Sequence, residues 1–449
     1  MSRLSDWFTR YPVRLVPLGF AVAIAIVFVM LLLPVSSAEP GGTRVLDALY
    51  IATSAITVTG LTPLDTGTHW SLFGEGVLMV AMQVGGLGIM ASAVFMGLLV
   101  SRRLGLRSRM MAQAEANRAI DMGDVKNIVF RSFLVMLSVE AVTSAVLALR
   151  FHYGYGFGRF DSIWQGLFHG ISSFNSGGFS LFSDSAARFV NDPWVIGPIV
   201  IASVIGGLGM PVLYELARRD WGRHKWTIHT KMTLIGTSIL FIGGFFFFLI
   251  LEWSNPATLG PFPWNDKLLP ALFQSVMPRS TGFNSFEVDG MQAPSMLGAM
   301  VLMFIGGGSA STAGGIKVTT FFVLLWVIWS ELRGEPDASA FRTRLSDAVI
   351  RQALSVALVY LAFLAAGVFL MQLFEPHIDL VHIMFEATSA GGTVGQSAGV
   401  TAELSGPSKA VSIVLMYGGR IGPVLFATSL AIRTRRRLYR YPEGRPLVG

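Results

Sequence analysis

The feature that most constrains this chain is a long apolar run that recurs along it, the first copy without a single charge. The first, Leu15–Leu33, has 19 residues, long enough to cross a bilayer as a helix. Comparable runs follow at Leu72–Val100, Ile128–Leu149, Trp194–Leu216, Met232–Leu251, Pro294–Trp329, Ala353–Leu373 and Ser412–Ile432. They predict an all-α polytopic membrane protein with eight spanning helices. Charged residues make up 14% of the chain, against about 25% in an average soluble protein. That deficit excludes an ordinary cytosolic enzyme, a fibrous chain and a disordered one. The 49 glycines fit membrane helices, which use Gly more than soluble ones do. With no cysteine, disulfide scaffolds, thiol catalysis and cysteine metal clusters are excluded. The first run lacks a small-residue cleavage site and reads as a helix that stays, not a secretory signal.

The basic residues set the orientation. Of the 34 Lys and Arg, 25 fall at residues 3–14, 101–131, 217–231, 330–351 and 433–445. If the spans alternate, all five segments lie on one side, and the positive-inside rule makes that side the cytoplasm, with both termini in it. The same rule accounts for the basic tail without nucleic acid. The expected location is the cell membrane, with the lipid bilayer as the main solvent.

Each of the four outward connections holds a shorter apolar segment that ends in Gly. They read ATSAITVTG (52–60), HGISSFNSGG (169–178), QSVMPRSTG (274–282) and EATSAGGTVG (386–395). Aligned on the last glycine, Ser54, Ser172 and Ser389 share a register, with Val276 in the third copy. A glycine pair follows in the next long run: Gly85-Gly86, Gly206-Gly207, Gly306-Gly307 and Gly418-Gly419, at 25, 28, 24 and 23 residues. Matching spacing in all four places reads as a fourfold internal repeat, with units at 1–110, 111–225, 226–335 and 336–449. The short segments cannot span, so they read as re-entrant pore helices around a pseudo-fourfold axis. Irregular backbone at membrane depth is tolerated where it is buried or lines a water-filled path. Four loops with no carboxylate at the tip suit a ring of carbonyls that replaces a cation's hydration shell. Asp161, Asp266 and Asp379 stand where helix N-caps are expected; Arg44 takes that place in the first copy.

These motifs resemble the Trk/Ktr/HKT superfamily of K⁺ transporters over nearly the whole chain, most like the Ktr membrane subunit, since no extra helices precede the first repeat. Thr57-Val58-Thr59-Gly60, Asn175-Ser176-Gly177-Gly178, Ser280-Thr281-Gly282 and Thr393-Val394-Gly395 look like its four filter loops. Gly177 and the Gly391-Gly392 pair depart from that pattern. The run Gly306, Gly307, Gly308, Ser309, Ala310, Ser311, Thr312, Ala313, Gly314, Gly315 and, past Ile316, Lys317 looks like its intramembrane loop. Arg420, in the segment 417–423, looks like its pore arginine. The resemblance implies K⁺ bound at filter carbonyls and one pore per subunit of a homodimer. It also implies a cytosolic ring of nucleotide-binding, RCK/KtrA-like regulatory subunits, so that any nucleotide sits on the partner alone. A Na⁺-selective or cation-coupled member is the alternative.

The residues support this independently. The 36 residues of Pro294–Trp329 exceed one crossing, and the Gly-rich middle breaks helices, since each Gly costs roughly 1 kcal/mol relative to Ala. Two half-helices joined by a gate loop are expected in the third unit. A phosphate-binding loop is excluded because Gly314 is followed by Gly315 instead of Lys and Ser/Thr. Lys317 reads either as a functional cation or as one that snorkels to the surface. Arg420, a charge in mid-span, reads as a cation barrier, its rival an ion pair with Glu386 or Glu75. Arg279 is expected to anchor its loop to a carboxylate. An enzyme would need paired carboxylates or a histidine cluster, and His169 and His382 stand apart. No cytoplasmic connection is long enough for a nucleotide-binding domain of about 100–150 residues.

Overall fold

The computed structural model describes residues 15–38, 41–103, 122–217 and 226–432. The basic segments around Arg3–Arg14, Arg107–Arg118, Arg218–Lys225 and Arg433–Arg445 lie outside them, as does the orientation they imply. The described chain is helical apart from one two-residue β-hairpin, Ser339–Ala340 with Thr343–Arg344. The helices are α1 (Leu15–Leu32), α2 (Val45–Ile56), α3 (Leu72–Arg103), α4 (Met122–Tyr155), α5 (Arg159–Asn175), α6 (Pro193–Leu208) and α7 (Met210–Leu216). They continue with α8 (Ile228–Glu252), α9 (Leu268–Val276), α10 (Ala293–Phe304), α11 (Val318–Leu332), α12 (Asp347–Phe374), α13 (Leu380–Gly392) and α14 (Gly406–Ile432). A single-turn helix, Thr66–His69, lies between α2 and α3.

Among the described residues five helices are long and apolar enough to cross a bilayer, and the bent pair α6–α7 makes a sixth candidate. Their polarity is turned inside out relative to a soluble protein. Ile26 and Val29 of α1, Ile242 and Ile250 of α8, and Leu361 and Phe369 of α12 are exposed. Thr230 and Thr233 of α8 and Ser172 and Ser173 of α5 are buried. That pattern is stable only where the outer solvent is itself apolar.

The run Pro294–Trp329 breaks as its sequence predicts, between Phe304 and Val318. Another run departs from expectation. Trp194–Leu216 reads as one uninterrupted span, yet the structure bends it by 102° between α6 and α7. The hinge is Gly209, at φ +90°, with Pro211 in the first turn of α7. A side chain on Gly209 would put its Cβ 2.3 Å from the Ser309 carbonyl oxygen. The bend is therefore packed against the 306–315 loop, a contact no local sequence signal reveals.

The expected caps are met at one position of three. Asp379 caps α13 by accepting from the Val381 N–H at 3.1 Å. Asp161 instead sits in the first turn of α5, behind Gly158, and Asp266 precedes the N-cap Lys267 of α9. Arg44 begins α2 with no side-chain bond. Helices α2 and α14 are joined by a partly buried pair, Lys409 Nζ to Asp47 Oδ1 at 2.7 Å, beside Tyr50 Oη and Ser412 Oγ at 3.0 Å. Such a pair adds little net stability, but losing one partner strands the other at a cost of about 3–5 kcal/mol.

Candidate functional site

The C-terminal ends of α2, α5, α9 and α13 lead into four loops with one backbone pattern. Gly60, Gly178, Gly282 and Gly395 have φ of +94°, +69°, +77° and +101°. Two residues earlier stand Val58, Ser176, Ser280 and Thr393, also with positive φ, at +53°, +61°, +88° and +47°. For a residue with a side chain this region costs roughly 1–2 kcal/mol, so four such residues in register mark a backbone that the surroundings hold in place.

The loops meet in a closed ring. A Cβ built on Gly60 would lie 2.5 Å from the Gly177 carbonyl oxygen, and one on Gly178 would lie 2.9 Å from that of Thr281. One on Gly282 would lie 2.3 Å from the Val394 oxygen, and one on Gly395 would lie 2.2 Å from the Thr59 oxygen. Each ring glycine thus packs on the residue before the next ring glycine, and the fourth closes on the first. No larger residue fits at these four positions without displacing a neighbouring backbone.

Local hydrogen bonds show why the sequence folds this way. The N–H groups of Thr59, Gly177 and Val394 bond the carbonyls of Ser54, Ser172 and Ser389 at 2.8, 2.6 and 2.9 Å. The hydroxyls of Ser54 and Ser389 accept from the N–H of Gly60 and Gly395 at 3.0 and 3.1 Å. Ser172 Oγ donates instead to the Phe179 carbonyl at 2.9 Å. The third loop, with Val276 at this register, bonds through Met277: the N–H groups of Thr281 and Gly282 both point to its carbonyl. The downstream glycines have a role too. A Cβ on Gly85, Gly206 or Gly419 would lie 2.1, 2.1 or 1.8 Å from the carbonyl oxygen of Ile56, Phe174 or Gly391. These are the residues four positions before the ring glycines. Gly306 differs, facing the Gly314 oxygen, because its helix has already ended.

The 306–315 loop is almost wholly buried. Its neck is closed by Gly306 N–H to Ile316 O (2.9 Å), Ile316 N–H to Phe304 O (3.1 Å) and Val318 N–H to Gly307 O (3.0 Å). Its far side bonds the break in the second unit: Gly308 N–H to Gly207 O at 2.8 Å, and Met210 N–H to Ala310 O at 3.3 Å. Arg420 of α14, 2% exposed, donates through Nη1 to the Thr312 carbonyl. Its Nε and Nη2 have no partner among the described residues. The ion pair weighed for Arg420 is not formed: Glu386 accepts from Ser397 and Thr401, and Glu75 accepts from Trp164. Lys317 Nζ turns back to the loop's own Ala313 carbonyl at 2.6 Å.

Arg279 has no carboxylate partner either, contrary to expectation. It donates to the Gly306 carbonyl at 2.9 Å and lies over the Phe241 ring, 4.5 Å from its centroid. Pro278 and Ser280 flank it in the sequence, and Gly306 lies just past the end of α10. Asn175, read as a filter residue, turns its amide away from the ring, to Glu140 Oε1 at 2.8 Å and Gln83 Oε1 at 3.0 Å. Gln83 also donates to Glu140 at 2.8 Å. Sequence reasoning missed Gln83 and Glu140. The available signal was a carboxylate, Glu140, inside the apolar run Ile128–Leu149. His169 and His382 lie in separate networks, with Gln165 and Ser180 for the first and Asp289 for the second.

Known proteins share this arrangement of sequence and fold. The family model described as TrkH, cation transport protein, matches residues 29–434. The Ktr system potassium uptake protein B of Bacillus subtilis (strain 168) is 39% identical over 100% of this chain and 99% of its own. The potassium/sodium uptake protein NtpJ of Enterococcus hirae is 33% identical over 98% of this chain and 97% of its own. The solved potassium transporter TrkH of Vibrio parahaemolyticus superposes with a TM-score of 0.71 at 17% identity, covering 93% of this chain and 85% of that one. The match to the family model and the full-length relatives make this chain a member of the TrkH family of cation transport proteins.

Proposed function

We propose that this chain passes K⁺ across the cell membrane, down its electrochemical gradient, through the ring made by its four loops. The observation that carries this reading is the ring itself: each of Gly60, Gly178, Gly282 and Gly395 packs on the carbonyl of the next loop until the circle closes. Alternating positive φ turns successive carbonyls toward one axis. Neutral dipoles there replace the hydration shell of a monovalent cation, and the C-terminal ends of the short helices add their negative partial charge. The filter residues are those at 57–60, 175–178, 280–282 and 393–395, with the Asn175 side chain bracing rather than facing the ion. The four pore units are 1–110, 111–225, 226–335 and 336–449.

The 306–315 loop is the gate in this reading, and Arg420 the electrostatic barrier that holds it. A cation transporter of this family is not of an enzyme class. The chain works as a homodimer on a cytosolic ring of nucleotide-binding subunits. The "Ktr system" in the name of the Bacillus relative is consistent with such an assembly. The purified chain in liposomes tests the reading. K⁺ uptake is expected to exceed Na⁺ uptake, with nucleotide acting only when cytosolic extract from the host is present. A Na⁺ preference would support the alternative suggested by the Enterococcus relative's name. A nucleotide response from the chain alone would contradict the separate regulatory subunit.

A further inference from the structure

The four strained residues before the ring glycines differ in what their side chains reach. Ser280 Oγ donates to the Thr393 carbonyl at 3.0 Å and accepts from the Gly314 N–H at 2.8 Å. One hydroxyl therefore ties the third ring loop to the fourth and both to the 306–315 loop. Thr312 Oγ1 donates to the Phe174 carbonyl at 3.2 Å, so the 3.1 Å contact between Ser176 Oγ and Thr312 Oγ1 takes its proton from Ser176. Gly314 is seated so closely on the fourth ring loop that a Cβ there would lie 2.4 Å from the Gly392 carbonyl oxygen. The loop thus has no independent position. It hangs from two ring serines on one side and from Arg420, through Thr312, on the other.

We infer that Ser176 and Ser280 are coupling residues, which make closure of the 306–315 loop depend on the cation held in the ring. This rests on the reading of the ring as a K⁺ site. A K⁺ that keeps the carbonyls in register also keeps Ser176 and Ser280 where they hold Thr312 and Gly314. A carbonyl oxygen has two lone pairs, so Thr393 can accept from Ser280 and still face an ion. Na⁺, smaller and poorly matched to a ring set for K⁺, leaves that register loose. Coupling of this kind is reciprocal: releasing the loop lowers the affinity of the ring for K⁺.

The chain has no native cysteine, so Ser309→Cys introduces a single reporter on the half-buried part of the loop. The full-length variant in liposomes is labelled with a membrane-impermeant thiol reagent in K⁺ and in Na⁺. The expected result is labelling about fivefold slower in K⁺, the worth of one neutral hydrogen bond. Adding Ser176→Ala and Ser280→Ala should erase the difference, so that both salts give the faster rate. Should that double change prevent folding, each single alanine carries the test and must lose part of the K⁺ protection. Equal rates in the two salts without the alanines, or protection that survives them, overturns the inference. Loss of K⁺ over Na⁺ preference in flux from the reporter protein itself would count against the K⁺ site, not against the coupling.

Discussion

Serine at Gly395 or Gly282 is expected to abolish K⁺ flux or remove its preference over Na⁺. At these positions the new Cβ would lie 2.2 Å from the Thr59 oxygen and 2.3 Å from the Val394 oxygen, far inside contact distance. Both neighbours are backbone, so they cannot rotate away. The φ values of +101° and +77° add roughly 1–2 kcal/mol of strain. A loss of about 1.4 kcal/mol in differential binding is already tenfold in selectivity. The series should be graded: Gly60→Ser, with its Cβ 2.5 Å from the Gly177 oxygen, comes next, and Gly178→Ser, at 2.9 Å, is mildest. Measured K⁺/Na⁺ flux ratios check the order. Unchanged selectivity in all four variants would show that the ring is not where cations are sorted.

Shortening the 306–315 loop is expected to raise K⁺ flux about tenfold or more. Removing Ser309–Ala313 leaves the neck bonds of Gly306, Ile316 and Val318 in place, so both half-helices keep their seat. It deletes the Thr312 carbonyl that Arg420 holds and the Thr312 hydroxyl beside Ser176. One hydrogen bond from a charged donor and one neutral one are together worth about 2–4 kcal/mol, more than the 1.4 kcal/mol that a tenfold shift requires. Arg420→Ala should act in the same direction, since no carboxylate is stranded by its loss. Arg420→Lys should restore only part of the closure, because an ammonium lacks the guanidinium's planar fork. Lower flux from a normally inserted shortened variant would make the loop a brace between half-helices.

The four loops were legible because their tips demand a residue that tolerates positive φ, and Gly at matching spacing announces it. The residues two places earlier adopt the same region without that announcement. Val58, Ser176, Ser280 and Thr393 carry no local sign of it, since the ring and not their own chemistry imposes it. The glycine pairs were visible as a pattern, but their cause is a carbonyl from another element, four residues before each tip in three of the units. The break at Gly209 was hidden for a related reason. Gly is common in membrane helices, and Trp194–Leu213 is apolar but for Ser203, so only the packed 306–315 loop reveals why the helix turns there. Arg420, as a charge in mid-span, and Arg279, as a loop anchor, were visible in the sequence. Their partners were not, because both bond backbone carbonyls of distant loops, which leave no trace in side-chain identity.

Rb⁺ is close to K⁺ in size and scatters anomalously, so crystals grown in its salt test the central claim directly. The account predicts anomalous density on the axis of the ring, among the backbone carbonyls of the loops that end in Gly60, Gly178, Gly282 and Gly395, weakened when Na⁺ replaces most of the Rb⁺. An empty axis in Rb⁺, with density at some other site in the membrane-spanning region, would contradict it.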